Sequence, residues 1–451
     1  MGITHRFFYT LLCHFEPARA RALSGLGHGE KSYAPSIFPT RLAHKISPHA
    51  HALAQPLFVR NDTVTGFLVL YHPKLHSPDN RKLTNGFIPA NFAVKHTLKN
   101  YTMIPVKGYA AQTPETDLAP WDFERREVGP HDVQFDILFC GVCHSDLHQI
   151  KNDWFPGIFP MVPGHEIVGR VVKVGDHVTR FKVGDLAGTG CMVDSCLHCE
   201  NCKQDLEQYC LDGGNTQTYN GMERDGKTPT YGGYSTSIVV KEHFVLNISD
   251  KVDLAATAPL LCAGITTWSP LKHWGVGKGH KLAVLGLGGL GHMGVKFGVA
   301  FGAEVTVLST SPKKEADAKA LGAHHFVVTT DAAQVEAAKG TFDFILDTVS
   351  AEHDFNMYLS LLRTNGVMMC VGVPSNPAEI HPFSLLGGRK SVAGSGIGGI
   401  KETQEMLDFC AENGIVSDIE MINIQDITQA YERMLKGDVR YRFVIDIASL
   451  K

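Results

Sequence analysis

The run Gly286-Leu287-Gly288-Gly289-Leu290-Gly291 constrains the fold of this chain more than any other six residues. It follows directly on an apolar stretch read as a strand, Lys281–Gly286, and it opens a helix-like segment. In that setting a G-x-G-x-x-G run places backbone N–H groups and the positive end of a helix dipole where a pyrophosphate can sit. Gly286 permits the tight turn, Gly288 lets a phosphate approach the backbone, and Gly291 lets the helix pack on the strand; Gly289 and Leu290 complete the loop. Five more strands are predicted at Glu304–Ser309, His325–Thr330, Asp343–Val349, Val367–Val373 and Ser391–Ile397, with helix-like segments separating the first five strands. Strands rich in Val, Ile, Leu and Phe with helical crossovers predict an α/β fold, a doubly wound parallel sheet covered on both faces.

The second strand selects the dinucleotide. A site for NAD places Asp or Glu about 20 residues beyond the glycines, to accept hydrogen bonds from the adenosine ribose. Here Glu304 comes too early and the strand ends in Ser309-Thr310-Ser311-Pro312-Lys313-Lys314, without an acid. Hydroxyls followed by two cations suit a 2′-phosphate, so NADP(H) is predicted.

Metal-ligand spacing appears twice. Eleven cysteines are an odd number without even, framework-like spacing, which argues against a disulfide scaffold. Four of them, Cys196, Cys199, Cys202 and Cys210, form a C-x2-C-x2-C-x7-C run in a polar loop. Four thiolates fill a tetrahedral zinc and define a closed, structural site. An iron–sulfur cluster is the alternative, but the C-x2-C-x2-C-x3-C-P spacing is not met. Upstream, Cys143 and His165 can meet only across the fold, and Cys262 supplies a third soft ligand. Three protein ligands leave a position open for a substrate oxygen, the arrangement of a Lewis-acid catalyst.

A length of 451 residues predicts two or three domains. Residues 1–102 hold 12 Lys/Arg against 4 Asp/Glu, whereas the remainder holds 30 against 42. This basic stretch is read as a disordered extension or tail; an organellar transit peptide and a true start at Met103 stay open beside it. The formal net charge of -4 gives no general attraction to polyanions, so no nucleic-acid partner is expected. Apolar stretches fall short of the roughly 18 residues a membrane span needs, so no membrane partner is expected either. Near the C-terminus Ile427, Ala430, Tyr431, Met434 and Leu435 recur at helical spacing and are read as core, with Gly437 just past the helix end and a strand at Tyr441–Ile445. Trp154, Phe155 and Phe159 fit either an aromatic pocket or core.

These motifs together resemble the zinc-containing medium-chain alcohol dehydrogenases, in the cinnamyl-alcohol-dehydrogenase-like branch of NADP-dependent aldehyde reductases. The likeness rests on GVCHSDLH at 141–148, the GHE-x2-G-x5-G-x2-V signature over 164–178, the four-cysteine lobe, LLCAGITT at 260–267, GLGGLGHMG at 286–294, ETQEMLDFC at 402–410 and RYRFVID at 440–446. It implies a GroES-like β-rich catalytic domain over 103–261, a Rossmann NADP-binding domain over 262–398, and a return of the catalytic domain over 399–451. It further implies two zinc ions per chain, the catalytic one on Cys143, His165 and Cys262 with Glu166 able to approach it during ligand exchange. Ser145 then matches the hydroxyl that exchanges a proton with the substrate oxygen, and His148 the solvent end of the relay. Ser309, Thr310 and Lys314 match the phosphate-binding positions and Thr266 a cofactor contact.

The resemblance implies a homodimer acting on a small aldehyde or primary alcohol by hydride transfer with NADP(H). Cytoplasmic location is expected, or mitochondrial if residues 1–102 act as a transit peptide. Two other readings are an NAD-dependent zinc polyol dehydrogenase, which predicts an acid at Ser309 or Thr310, and a non-catalytic dinucleotide-binding sensor. The intact Cys143, Ser145, His165 and Cys262 argue against the sensor.

Overall fold

Alternation along the strand Lys281–Leu285 divides its side chains between two cores, because successive Cβ atoms leave opposite faces of a sheet. Leu282 and Val284 join Met293, Val295 and Phe297 of the helix Gly291–Ala300 on one face. Ala283 and Leu285 join Phe355, Leu359 and Leu361 of the helix Phe355–Leu361 on the other. The computed structural model describes residues 103–450, and the expectations for 1–102 lie outside the described residues.

The strand is third in a six-stranded sheet ordered His325–Val328, Glu304–Ser309, Lys281–Leu285, Phe342–Asp347, Leu362–Cys370, Ser391–Gly394. Every neighbouring pair is parallel, which bears out the doubly wound sheet. Chain order reverses between Lys281–Leu285 and Phe342–Asp347, and ligands of such sheets bind at the carboxyl ends of the strands beside that reversal. The glycine loop sits there.

Strand ends differ from the sequence reading where local turns intervene. The fifth strand starts at Leu362 rather than Val367, because Leu362 pairs with Phe342 before an irregularity at Asn365, whose φ is +65°. The sixth stops at Gly394 rather than Ile397, because Ile397 takes a left-handed φ of +43°.

A second sheet is built on the long strand Asp132–Val142, which pairs antiparallel with Ile167–Val174, Ser237–Lys241 and Arg442–Asp446. Two register shifts against Ile167–Val174 bend the long strand. The pairing Val142 to Phe443 carries the end of the chain back to the residue before Cys143. In the helix Ile427–Leu435 the residues Ile427, Ala430, Tyr431 and Met434 are buried, but Leu435 is 66% exposed and is not core. At about 100° per residue it lies at the edge of the apolar stripe, on the helix's last turn. Among the described residues no single helix is long and apolar enough to cross a membrane.

Candidate active site

Cys143 ends the long strand's run into a short helix, His144–Ile150, and caps that helix. The acid in its first turn, Asp146, is fully buried and organises the surroundings. Its carboxylate accepts the Cys143 N–H at 2.9 Å, the Gly164 N–H at 3.1 Å, the Tyr234 hydroxyl at 3.4 Å and lies 3.0 Å from His165 Nδ1. A carboxylate can only accept, so Nδ1 of His165 carries the proton and Nε2 is left as a lone-pair donor. Asp146 and Tyr219, which stacks on the His165 ring at 5.8 Å, together fix that ring.

Ligand atoms of Cys143, His165, Glu166 and Cys262 all lie within 4.8 Å of one another, although 119 residues separate the two cysteines. Their sulfurs are 3.9 Å apart. Two thiolates on one tetrahedral zinc at about 2.3 Å stand about 3.8 Å apart, so the donor set has the spacing of that ion. The hydrogen bond from Cys262 pushes the Cys143 thiol well down, against burial and with help from the Arg442 guanidinium. Glu166 is fully buried, pairs through Oε1 with Arg442, and leaves Oε2 without a hydrogen-bond partner. Burial pushes its carboxyl up to about 8, while Arg442 pulls it the other way. Glu166 thus adds a carboxyl with one unpartnered oxygen to the three soft ligands, a donor set that suits a cation.

The four thiols of the loop 196–210 also converge, with their sulfurs within 4.8 Å of one another and Cys196 3.8 Å from Cys202. Backbone N–H groups of Cys202 and Leu211 pull the Cys199 thiol down to about 6. No fifth position is left among four thiolates, so this lobe fits a structural zinc.

One cleft of about 700 Å³ is lined by Cys143, Ser145, His148, His165, Cys262 and Thr266 together with Gly288, Gly289 and Leu290. Ser145 Oγ lies 3.6 Å from Cys143 Sγ. His148 sits toward solvent, with Nδ1 2.8 Å from Asp153 and its ring stacked on Trp154. Of the three aromatics, Trp154 lines the cleft, Phe155 is 66% exposed, and Phe159 packs against the core.

The glycine loop is shaped as its sequence requires. Gly286 has φ +89°, and a Cβ on Gly291 would fall 2.1 Å from the Gly286 carbonyl oxygen. Gly288 faces open space. Lys314 reaches this loop, donating from Nζ to the Leu287 carbonyl at 2.9 Å, in a recess shared with Arg440 and Arg442. Ser309 and Thr310 stand at the strand end outside the lining of both recesses, Ser309 Oγ accepting the Ser311 N–H at 3.2 Å.

Sequence reasoning passed over three residues of this site. Asp146 and Arg442 lie inside quoted motifs, and Cys191 lines the cleft near Cys262. The available signal was an acid one turn from a Cys-His pair, and a cation at the head of an apolar strand.

Fold, paired cysteine sites and glycine-lined cleft define a zinc-binding dehydrogenase. The "Alcohol dehydrogenase GroES-like domain" signature matches residues 129–250 and the "Zinc-binding dehydrogenase" signature residues 289–412. The chain belongs to the zinc-binding alcohol dehydrogenases, in the cinnamyl-alcohol-dehydrogenase-like branch. It is 54% identical over 349 residues to the NADP-dependent alcohol dehydrogenase C 1 of Mycolicibacterium smegmatis, covering 77% of this chain and 100% of that one. With aldehyde reductase YahK of Escherichia coli the identity is 53% over 347 residues, 76% of this chain and 99% of the relative. A cinnamyl alcohol dehydrogenase structure from Sorghum bicolor superposes with a TM-score of 0.74 at 46% identity, over 76% of this chain and 98% of that one.

Proposed function

We propose that this enzyme interconverts primary alcohols and aldehydes with NADP(H), as a broad-specificity aldehyde reductase. The observation that carries the reading is the single cleft lined both by Cys143, His165 and Cys262 and by Gly288–Leu290. A zinc on the first set supplies Lewis acidity toward a substrate oxygen, and the dinucleotide supplies or takes the hydride. The chain's own part is positioning and proton management. Cys143, His165 and Cys262 hold the metal, and Asp146 keeps His165 in the ligating tautomer. Glu166, held by Arg442 beside Cys143, His165 and Cys262, would offer its carboxyl oxygen as a further ligand to a metal bound there. Ser145 gives a proton to the substrate oxygen in reduction and takes one in oxidation, and His148, in the same cleft, brings the replacement proton from solvent in the first case and releases it to solvent in the second. Gly286, Gly288, Gly289, Leu290 and Gly291 receive the pyrophosphate, and Thr266 in the cleft wall contacts the cofactor.

Lys314 serves the 2′-phosphate, supported by its place beside the glycine loop with Arg440; Ser309 and Thr310, at the end of the preceding strand, are assigned to the same phosphate on the sequence pattern alone. Cys196, Cys199, Cys202 and Cys210 hold the second zinc. The division into a catalytic part over 103–261 and 399–451 and a cofactor part over 262–398 is supported by the six-stranded parallel sheet, whose strands all fall between Lys281 and Gly394, and by the return of Arg442–Asp446 to the sheet built on Asp132–Val142. A homodimer is supported by the open sheet edge at Ser391–Gly394 and by Phe383 and Leu386 on the preceding helix, 74% and 71% exposed. A cytoplasmic location accords with ten described cysteines that form no disulfide. The test is a panel of aldehydes assayed with NADPH and with NADH. Loss of NADPH absorbance with several aldehydes, and much slower loss of NADH, is expected; no aldehyde-dependent oxidation of either coenzyme would reject the reading.

A further inference from the structure

Beside the cleft lies a second, half-open recess of about 660 Å³. Pro270, Trp274 and Met369 line it together with the charged Lys272, Lys401 and Glu402. Gln208, Tyr209 and Ser395 border both spaces. Tyr209 is 44% exposed and contributes to the lining of both spaces. Its hydroxyl accepts the Gly396 N–H at 2.9 Å, and Gly396 and Ile397 are themselves part of the cleft wall.

That wall is clamped in an unfavourable shape. Ile397 is β-branched yet held at φ +43°, a conformation that persists only where the surroundings dictate it. The surroundings come from the segment between Cys202 and Cys210. Glu207 Oε2 accepts the Ile400 N–H at 3.1 Å, Asp205 pairs with Lys401 at 3.2 Å, and a Cβ on Gly399 would fall 1.8 Å from the Asp205 carbonyl oxygen. Glu207 is 1% exposed and anchored through its other oxygen to His243 at 2.7 Å. The four-cysteine lobe thus reaches across to fix the substrate side of the cleft.

We propose that Tyr209 is a specificity-determining residue whose ring is the partition between the substrate cleft and the second recess, setting the longest unbranched aldehyde the cleft accepts. The proposal rests on the aldehyde-reductase reading for its substrate class. In the intact chain, gains from added methylenes stop where the aldehyde tail meets the ring. Truncating the ring joins the two spaces and lets the tail continue into the second.

The experiment compares the full-length holoenzyme with Tyr209→Ala, Tyr209→Val and Tyr209→Phe across straight-chain aldehydes from butanal to dodecanal. The wild-type chain should show a break in kcat/KM at one chain length. Y209A and Y209V should move the break to longer chains, with KM falling by about fourfold per additional buried methylene. Y209F keeps the ring and should keep the wild-type break. A truncation with the wild-type profile, or Y209F with the truncated profile, overturns the proposal. Calorimetric titration with butanamide to decanamide reads the same length dependence without turnover. If no aldehyde is reduced the functional reading falls, while the partition is still decided by whether the amide affinities of the truncations break at a longer chain than those of the wild type.

Discussion

Replacing Asp146 by Asn is close to isosteric, and it removes a charge that no solvent reaches. In the native site the two oxygens serve four donors: Cys143 N–H and the Tyr234 hydroxyl at one, Gly164 N–H and His165 Nδ1–H at the other. An amide can keep the second pair on its single oxygen, but its NH2 group then faces the Cys143 N–H, donor against donor. One buried peptide donor is left unpaired, which costs about 1–3 kcal/mol, and the surviving bonds to His165 and Gly164 lose their charge assistance. Outer partners of a ligating histidine are worth roughly 10–100-fold in metal affinity, or about 1.4–2.7 kcal/mol. The assay is staged release of zinc to a chromogenic chelator from the full chain, in which the four-cysteine lobe serves as an internal standard. The variant should surrender one ion per chain at a chelator concentration about 10–100-fold lower than wild type requires, while the other is held as before. Two ions released as in the wild type, or a weakened lobe with an unchanged cleft site, would refute the role given to Asp146.

Lys314→Ala should raise KM for NADPH by about tenfold, the loss of one charge-assisted bond to a phosphate, and change KM for NADH by less than about twofold; equal effects on both coenzymes would reject the phosphate assignment. His292 is fully buried, and burial, followed by Lys296 and Arg442, holds its pKa at about 3 against the ordinary 6.5. The folded chain therefore stays neutral there while the unfolded chain gains a proton, so stability falls as pH drops from 6.5 toward 3, by about 2 kcal/mol at pH 5. His292→Gln should lose less than wild type in urea midpoint between pH 7.5 and pH 5, and an identical loss in both would sink the claim.

The local features of the chain were legible because they are written in consecutive residues. The glycine loop, the four-cysteine lobe and the strand Glu304–Ser309 stand where their spacing puts them. Cys143, His165 and Cys262 could be nominated from residue type, but only the fold brings them together: the pairing of Ile167–Val174 on the long strand joins the first two, and the turn Ala258–Leu261, packed against that strand, delivers Cys262. What spacing does not carry is a side chain's choice among partners. Asp146 looks like an ordinary first-turn acid, and only its zero exposure and four donors reveal a hub. Arg442 opens an apolar strand, yet its head group is buried against Glu166 and under Gly289, where a Cβ would fall 2.8 Å from its Nη1. Ser309 hydrogen-bonds within its own turn, and Leu435 slips off the edge of its stripe, because both depend on fractions of a helical or strand turn.

Elemental analysis of the purified full chain beside its Cys262→Ser variant, with NADPH titrated into both, bears most directly on the incompletely ligated ion at the cleft. Two zinc atoms per wild-type chain, one per variant chain, abolished aldehyde turnover and retained NADPH binding are the expected results. A variant that keeps both ions, or a wild-type chain whose only zinc resides in the four-cysteine lobe, would contradict the account.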